Sequence, residues 1–461
     1  MIAELKPYPE YRESELAWLG DVPSHWHSGP GFSAFREKKV KNTGLQEKTV
    51  LSLSYGRIIV KPEDKLHGLV PESFETYQIV DPGDIIIRST DLQNDKTSLR
   101  VGIVKNRGII TSAYMCMKVT ETLMPEYGYQ LLHTLDLTKI LYGLGSGLRQ
   151  NLDYSDFKRL PLSIPPIDEQ TSIVRFLNHA NLRIEKAIRA KRKVIALLNE
   201  QKQVIIHRAV TRGLDPNVQL KPSGIPWLGD IPGHWEDLRS KYVFHEVDER
   251  SVTGTETHLS MSQKYGLIPN SQIEERRLVS ESYVGAKLCR SGDLVLNRLK
   301  AHLGVFALAP GQGLISPDYT VFRPARPMVA RYFEAMYRTP ACRVELRKRA
   351  KGIVQGFWRL YTDDFYDIRV PVPPLDEQYE IMQYLDKELL VINTVIASTE
   401  REIDLLREYR TRLIADVVTG KLDVRQAAAR LPDELEELAT LQDCGETAEL
   451  DDNGLDSEDE S

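Results

Sequence analysis

Two groups of basic, amide and aromatic residues have the side-chain types and spacing best suited to contacting nucleic acid. Arginine and lysine pair with phosphates or guanine, asparagine and glutamine pair with adenine, and aromatic rings pack against bases. The first group has two parts, one after a short apolar strand and one near residue 150. It consists of Arg88, Gln93, Asn94, Lys96, Arg100, Arg149, Gln150 and Asn151. The second group lies in the corresponding later region and consists of Asn297, Arg298, Lys300, His302, Gln355, Trp358 and Arg359. Tyr55, and Lys264 with Tyr265, are predicted at two related turns. For each single residue, an ordinary solvated loop is the alternative interpretation.

Two acid pairs could suggest acid–base chemistry, but their positions favour a structural role. Asp168-Glu169 and Asp376-Glu377 each follow a Pro-Pro step, which cannot lie inside a helix. Acidic side chains at that point suit the first turn of a helix, where they cap free backbone N–H groups. The pairs therefore predict helix starts.

Two His–Trp pairs could suggest a metal site, but their spacing does not support one. His25-Trp26 and His234-Trp235 lack metal-ligand spacing to another histidine or cysteine. Both copies keep the pair while the regions that follow them differ, so we interpret it as packing at the base of a domain.

Motifs for catalysis are absent from the sequence. It contains no G-x-x-x-x-G-K-[ST] loop for ATP and no Asn- or Asp-Pro-Pro-aromatic tetrapeptide of amino-methyltransferases. Four dispersed cysteines form no C-x-x-C pair. We expect no catalytic residue, metal or cofactor in this chain.

The composition is that of an ordinary globular protein, with 41% hydrophobic and 27% charged residues. The sequence shows neither a secretion leader nor an apolar run of membrane-spanning length, and its cysteines suit a reducing compartment. These features predict a cytoplasmic location without membrane contact.

The net charge of −6 hides a strong asymmetry along the chain. Residues 433–461 hold 13 acidic residues and no lysine or arginine, so residues 1–432 carry a net charge of +7. Such a tail is predicted to be disordered and solubilising. A second interpretation is that it competes with nucleic acid for a basic surface.

The sequence repeats itself. Residues 164–170 (IPPIDEQ) return as residues 372–378 (VPPLDEQ), and residues 18–23 (WLGDVP) return as residues 227–232 (WLGDIP). The nearly constant offset indicates a tandem duplication. Gly83-Asp84 and Gly292-Asp293 are each predicted to form a turn before a short buried strand.

Each copy combines a loop-rich, strand-biased region with a long helical one. From Ile173, a 4/3 spacing selects ten positions through Ala187 and Val194 to Ile205, eight of them apolar, and seven of ten are apolar in the second copy. A helix over residues 168–208 would be about 60 Å long. It needs a partner, and we expect it to pair with the other helix in antiparallel orientation as a coiled coil.

Taken together, this arrangement resembles the specificity subunit of type I restriction–modification enzymes over about residues 15–425. It rests on a variable domain, PPxxEQ, a long heptad helix, the Trp-Leu-Gly-Asp-x-Pro-x-x-Trp segment, and then the same order again. The resemblance implies an α+β fold: two mixed α/β target-recognition domains joined by two long antiparallel coiled-coil helices in a pseudo-twofold repeat. The predicted boundaries are 1–157 and 215–362 for these domains, 158–214 and 363–425 for the helices, and 426–461 for the acidic tail.

The resemblance also implies function and partners. Each domain would read one half of a bipartite target in double-stranded DNA, and the helices would set the spacing and dock two methyltransferase (modification) subunits. Chemistry would lie in the partners, with S-adenosylmethionine in the methyltransferase and ATP and Mg²⁺ in the restriction/translocase subunits. Two alternatives stay open: an autonomous DNA-modifying or DNA-cleaving enzyme with a cryptic site, and a coiled-coil scaffold that binds no DNA.

Overall fold

The computed structural model describes residues 5–14, 19–62, 73–90, 92, 99–144, 151–262, 265–272, 283–354 and 357–432. The chain divides into two compact units. Unit 1 comprises Met1–Ala190 with Arg401–Ser461, and unit 2 comprises Lys191–Glu400.

Unit 1 is built around a small antiparallel sheet. Its strands are β1 (Tyr11–Glu13), β2 (Asp21–Pro23), β3 (His27–Pro30), β4 (Phe35–Glu37), β5 (Leu51–Ser54), β6 (Arg57–Val60), β7 (Gln78–Val80), β8 (Ile85–Ile87), β9 (Val101–Ile103), β10 (Gly108–Ile110), β11 (Met115–Val119) and β12 (Pro161–Ile164). The central sheet has the order β4-β11-β8-β9, and β1-β2, β3-β12, β5-β6 and β7-β10 pair in twos. Helix α1 (Pro125–Leu137) and the short α2 (Tyr154–Phe157) complete the domain.

Unit 2 repeats this design. Its strands are β13 (Leu220–Pro222), β14 (Asp230–Pro232), β15 (Glu236–Arg239), β16 (Phe244–Val247), β17 (Leu259–Ser262), β18 (Gly266–Pro269), β19 (Lys287–Cys289), β20 (Leu294–Asn297), β21 (Phe306–Leu308), β22 (Gly313–Ile315), β23 (Tyr319–Pro324), β24 (Lys351–Val354), β25 (Phe357–Arg359) and β26 (Arg369–Val372). The central sheet has the order β16-β23-β20-β21, which corresponds strand for strand to unit 1. The helices are α4 (Ala330–Tyr337), α5 (Pro340–Arg349) and α6 (Thr362–Tyr366). The two copies therefore share a mixed helix-and-strand fold, as the repeat predicts.

The Gly-Asp turns precede buried strands, as predicted, and their aspartates anchor the sheets. Asp84 is buried and accepts hydrogen bonds from Lys38 Nζ at 2.5 Å and from the backbone N–H of Asp81 at 2.8 Å. Asp293 is likewise buried and accepts from Arg323 Nε at 2.8 Å and Nη2 at 2.9 Å. Burial lowers the pKa of Lys38, but the carboxylates of Asp81 and Asp84 outweigh it and raise that pKa, and Asp293 with Glu249 raises the pKa of Arg323. Each turn is thus held by a charge-assisted contact, from Lys38 just after β4 in unit 1 and from Arg323 of β23 in unit 2.

Two long helices follow the Pro-Pro steps. Helix α3 runs over Ile167–Arg212 and α7 over Leu375–Val418, and a short α8 (Arg425–Ala429) follows α7. In unit 1, the start of α3 and the end of α7 contribute side chains to one hydrophobic core, and Arg410 Nη1 lies 3.7 Å from Glu185 Oε1. In unit 2, the end of α3 and the start of α7 do the same, and Lys202 Nζ donates to Asn393 Oδ1 at 2.9 Å.

The predicted 4/3 pattern holds at the start of α3 and then slips by one residue. Ile173, Leu177, Ala180 and Ile184 are buried, as predicted. Beyond them Ile188 is buried in place of Ala187, and Val194 is 45% exposed. An α-helix has 3.6 residues per turn, so a strict seven-residue pattern drifts around its surface. The predicted positions Ala187 and Val194 were therefore wrong as buried contacts.

Candidate nucleic-acid interface

The second predicted group lies around a 3-10 helix in unit 2. This helix spans Arg298–Leu303 and directly follows β20. The side chain of Asn297 caps it, because Oδ1 accepts from the N–H groups of Leu299 at 3.1 Å and Lys300 at 3.3 Å. Arg298 Nε donates to the carbonyl of Asp318 at 3.0 Å. The helix is therefore held at its beginning with its basic side chains partly exposed.

The β24–β25 hairpin joins this helix. The N–H of Leu360 donates to the carbonyl of Arg298 at 3.1 Å, and Arg359 Nη2 lies 3.9 Å from Asp318 Oδ1. Trp358 is 40% exposed beside them. The structure thus brings five predicted residues into one surface, which we call the second loop cluster: Asn297, Arg298, Lys300, Trp358 and Arg359. The side chain of His302 and residue Gln355 lie outside the described parts of the chain.

The first predicted group is described less fully. Gln93, Asn94, Lys96, Arg149 and Gln150 lie outside the described residues. Arg88 is partly exposed after β8, and Asn151 is exposed in the short loop before α2. The backbone of Leu152 donates to the carbonyl of Ser89 at 2.8 Å, so these two loops meet.

Arg100 corrects the prediction of a DNA contact. Its side chain has no exposed surface. Its guanidinium donates to the carbonyl of Thr90 at 2.7 Å and to the hydroxyl of Tyr142 at 3.0 Å, while its backbone N–H donates to Asp136 at 2.7 Å. A buried guanidinium with several acceptors joins loops inside the fold. Arg100 is a core residue of unit 1.

The two tyrosines that were predicted at turns lie at hairpin tips. Tyr55 follows β5 with φ of 46° and is 73% exposed. Tyr265 precedes β18 and is 65% exposed, and Lys264 lies outside the described residues. An exposed ring at each tip is available for stacking or for phosphate contact.

The two repeated motifs contact one another within each unit. Glu169 is 4% exposed and accepts hydrogen bonds from Trp26 Nε1 at 2.7 Å, Tyr8 OH at 2.6 Å and His25 Nε2 at 2.8 Å. In unit 2, Glu377 accepts from Trp235 Nε1 at 2.8 Å and His234 Nε2 at 2.5 Å. Trp18 lies outside the described residues.

These contacts refine the two structural predictions made from the sequence. Trp26 and Trp235 are buried at the base of each domain, as predicted. The acid pairs do stand in the first helical turn, yet each glutamate accepts from the distant Trp motif. Capping was therefore an incomplete interpretation of Glu169 and Glu377. The signal available in the sequence was their joint recurrence with the tryptophans.

The glutamine that follows each glutamate links the long helix to the mixed helix-and-strand domain of its unit. Gln170 Oε1 accepts from the N–H of Met124 at 2.8 Å, and Gln378 Oε1 accepts from the N–H of Val329 at 2.9 Å. Met124 and Val329 are the N-cap residues of α1 and α4. One glutamine in each unit therefore holds the start of a domain helix against the start of a long helix.

Comparisons with known proteins agree with this architecture. Residues 39–192 match the family model of the type I restriction modification DNA specificity domain. Two curated type I restriction enzyme specificity subunits of Methanocaldococcus jannaschii, MjaX and MjaVIII, are each 22% identical to this chain, over 288 and 298 residues. Over residues 39–192 this chain thus matches the type I restriction–modification DNA specificity domain, and the chain is similar to curated specificity subunits.

The matches to these two specificity subunits cover only part of each chain. They cover 60% and 61% of this chain, and the chain spans 63% and 66% of the length of the two curated relatives. One chain of a solved structure, described as the basis of complex assembly and conformational transition of the type I R-M system, is similar in fold with a TM-score of 0.61. That match has 16% sequence identity and covers 87% of this chain and 99% of the other.

The matched residues 39–192 include Arg88 and Asn151 of the first predicted group, and also Tyr55. The assignment of individual DNA contacts stays a prediction, as do the domain boundaries. Among the described residues, no helix is long and apolar enough to cross a membrane. The cytoplasmic location also stays a prediction.

Proposed function

We propose that this chain is the DNA-reading subunit of a type I restriction–modification complex, with one half of a bipartite target read by each unit. The observation that carries this proposal is the pair of sheets with corresponding strand order but different loop side chains. A shared scaffold with unlike surfaces suits two different half-sequences.

Reading would combine two kinds of contact. Basic side chains such as Arg298 and Lys300 would position the duplex through phosphates, which carry no sequence information. Arg359 and Asn151 have the donor patterns to contact base edges in the major groove, and Trp358 supplies apolar surface. Asn297 Oδ1 already caps the 3-10 helix, so we assign it a positioning role.

The two long helices would act as a spacer. The start of α3 shares a core with the end of α7 in unit 1, and the end of α3 with the start of α7 in unit 2. Both observations support an antiparallel coiled-coil pair, with a pseudo-twofold relation between the copies. Modules reading one face of the duplex are separated by roughly 34 Å, which a rigid spacer of two helices could span.

The same helices would dock two methyltransferase subunits. Apolar side chains on α3 and α7 are exposed, among them Leu197, Val204, Leu390, Val391 and Leu405. These side chains would offer apolar contact points to a protein partner that lies along the helices. The chain itself would be non-catalytic, and methyl transfer with S-adenosylmethionine and ATP- and Mg²⁺-dependent translocation would belong to modification and restriction subunits.

Single-molecule sequencing of DNA methylated by the chain with its modification subunit tests the proposal. We expect one bipartite motif with a constant gap, and Trp358→Ala should relax one half of it while leaving the other unchanged. Methylation without a defined motif would contradict a DNA-reading role and favour a scaffold. Modification of DNA by the purified chain alone, with methyl donor and Mg²⁺, would favour an autonomous enzyme.

A further inference from the structure

Unit 2 contains a small basic pocket that none of the predicted contacts includes. It has a volume of about 320 Å³ and is lined by Ser262, Leu303, Gly304, Val305, Phe306, Arg338 and Arg343. Its wall at Leu303–Phe306 continues directly from the 3-10 helix of the second loop cluster. We call it the Arg343 pocket.

The guanidinium of Arg343 is fixed at the edge of this pocket. Its Nε donates to the carbonyl of Arg338 at 3.1 Å. Gly304 has φ of 70°, and a Cβ at that position would lie 2.8 Å from Arg343 Cγ, so glycine lets the backbone pack against the arginine stem. Within the described part of the chain, the terminal Nη groups of Arg343 make no hydrogen bond to protein.

Positive charge accumulates around the pocket. Burial, followed by the charge of Arg338, lowers the pKa of both Arg343 and Lys202. Lys202 therefore lies near enough to Arg338 for the two charges to repel. Glu334 accepts from Arg338 Nη1 at 3.2 Å and offsets one of the three charges. Repulsion between neighbouring cations is relieved when an anion binds between them.

In the described part of unit 1, the counterpart of Lys202 has an acidic partner. Arg410 holds the position of Lys202 after the 208-residue offset, and its guanidinium lies 3.7 Å from Glu185 Oε1. Asn393 is the uncharged counterpart of Glu185. His133, whose ring stacks on Tyr129, is held neutral by a pKa lowered to about 4 through burial and then the charge of Arg410. Among the described residues, Arg410 of unit 1 is thus paired with a carboxylate, whereas Lys202 of unit 2 contacts the neutral amide of Asn393.

We propose that the Arg343 pocket binds one backbone phosphate of the DNA beside the second half-site. Arg343 and Arg338 would donate to the phosphate oxygens and Lys202 would add charge. This deepens the proposed function by assigning a positioning contact next to the 3-10 helix that would read bases. A phosphate suits fixed guanidinium donors better than a base edge does, because its oxygens accept from several directions.

The test measures binding of the full chain with its modification subunit to target and scrambled duplexes over a salt series. We expect Arg343→Gln to weaken both by the same factor and to reduce the slope of log K against log salt by about 0.9. The ratio of wild-type to variant affinity should then shrink by about three- to fourfold from about 50 mM to about 200 mM salt. Arg343→Lys should keep most of the slope because the charge remains.

Two matched variants separate a site from a general charge effect. Lys348→Gln removes the same charge from an exposed position of α5, and Arg410→Gln removes the ion-paired counterpart of Lys202 in unit 1. We expect both to change the slope less than Arg343→Gln or Lys202→Gln does.

Each other outcome contradicts the pocket assignment in its own way. An unchanged salt slope in a folded Arg343→Gln chain would show that Arg343 does not contact a phosphate. A changed methylation motif would show that Arg343 contacts bases instead. Lost assembly with the modification subunit at unchanged DNA affinity would identify an acidic protein surface as the ligand. If the wild type does not discriminate between duplexes, the proposed function fails, while the slope on scrambled DNA still tests the pocket.

Discussion

Glu169 and Glu377 occupy the same position of the repeat, yet their surroundings differ. Glu169 is 4% exposed and accepts from three side chains, whereas the side chain of Glu377 is 33% exposed and accepts from two. Losing an acceptor costs more where water cannot replace it.

We therefore expect Glu169→Gln to lower the free energy of unfolding by about 2–4 kcal/mol, since its amide would face donors of Trp26 and Tyr8. Glu377→Gln should cost less than about 1–2 kcal/mol. Urea denaturation of the full chain measures both. Equal losses in the two variants would show that the buried network adds nothing beyond helix capping.

The backbone of Tyr55 is strained, which lowers stability, while its exposed ring is a predicted DNA contact. A non-glycine residue with positive φ is strained by about 1 kcal/mol or more, and asparagine tolerates this region better. Tyr55→Asn should raise the free energy of unfolding while reducing methylation of target DNA, because the exposed ring is lost. Leu45→Asn, at φ of 53°, is the control and should stabilise without affecting methylation. Full methylation activity in Tyr55→Asn would exclude a DNA role for the ring.

His133 predicts a pH dependence of stability. Its pKa in the folded chain is about 4, below the value of about 6.5 expected when unfolded, so the unfolded chain binds the proton first as pH falls. Stability contributed by the neutral ring is complete above pH 6.5 and is lost progressively toward pH 4. When the pH falls from 7 to 5, the free energy of unfolding should decrease more in the wild type than in His133→Gln. The difference should be at most about 2 kcal/mol in urea denaturation. Parallel pH profiles for both proteins would contradict a ring that is kept neutral by its surroundings.

Prediction from sequence succeeded where the information is local. Tyr55 and the Gly-Asp turns were placed correctly because hairpin tips and strand starts depend on a few neighbouring residues. Arg100 was misplaced because its burial depends on Tyr142 and Asp136, which are far away in the sequence. The Arg343 pocket was missed for the same reason, since its lining comes from separate elements.

At the scale of elements, α3 and α7 were predicted with accurate starts because Pro-Pro and the acids that follow are strong local signals. The buried face of α3 was predicted less well beyond Ile184, where a repeat of 3.6 residues per turn departs from a heptad. The β24–β25 hairpin could not be predicted, since its pairing has no counterpart in the described residues of unit 1.

If the helices set the gap between half-sites, a longer helix should lengthen that gap. Four residues inserted after Leu198 of α3 add about 6 Å of helix and about one turn. We expect methylated sites with a wider gap and unchanged half-sequences, as read by single-molecule sequencing. The same insertion after Gly311, in the loop between β21 and β22, is the control and should leave the gap unchanged. An unaltered gap after the helix insertion would refute the spacer role.

At the scale of the whole molecule, charge is divided between a basic body and an acidic terminal segment. Residues 433–461 carry 13 acids and lie outside the described residues, while residues 1–432 carry a net charge of +7. An acidic segment tethered to a basic body competes with DNA phosphates for the same cations. Target binding adds base contacts and resists this competition better than non-specific binding does.

Deleting residues 433–461 should therefore raise affinity for scrambled DNA more than affinity for the target. The difference should be largest near 50 mM salt and fade near 200 mM, because screening weakens both competitors. A variant with every acid of this segment replaced by its amide controls for length and should behave like the deletion. Equilibrium binding to both duplexes measures the effect. If the amide variant matches the wild type while the deletion does not, bulk rather than charge is responsible, and if neither differs, the segment does not compete with DNA.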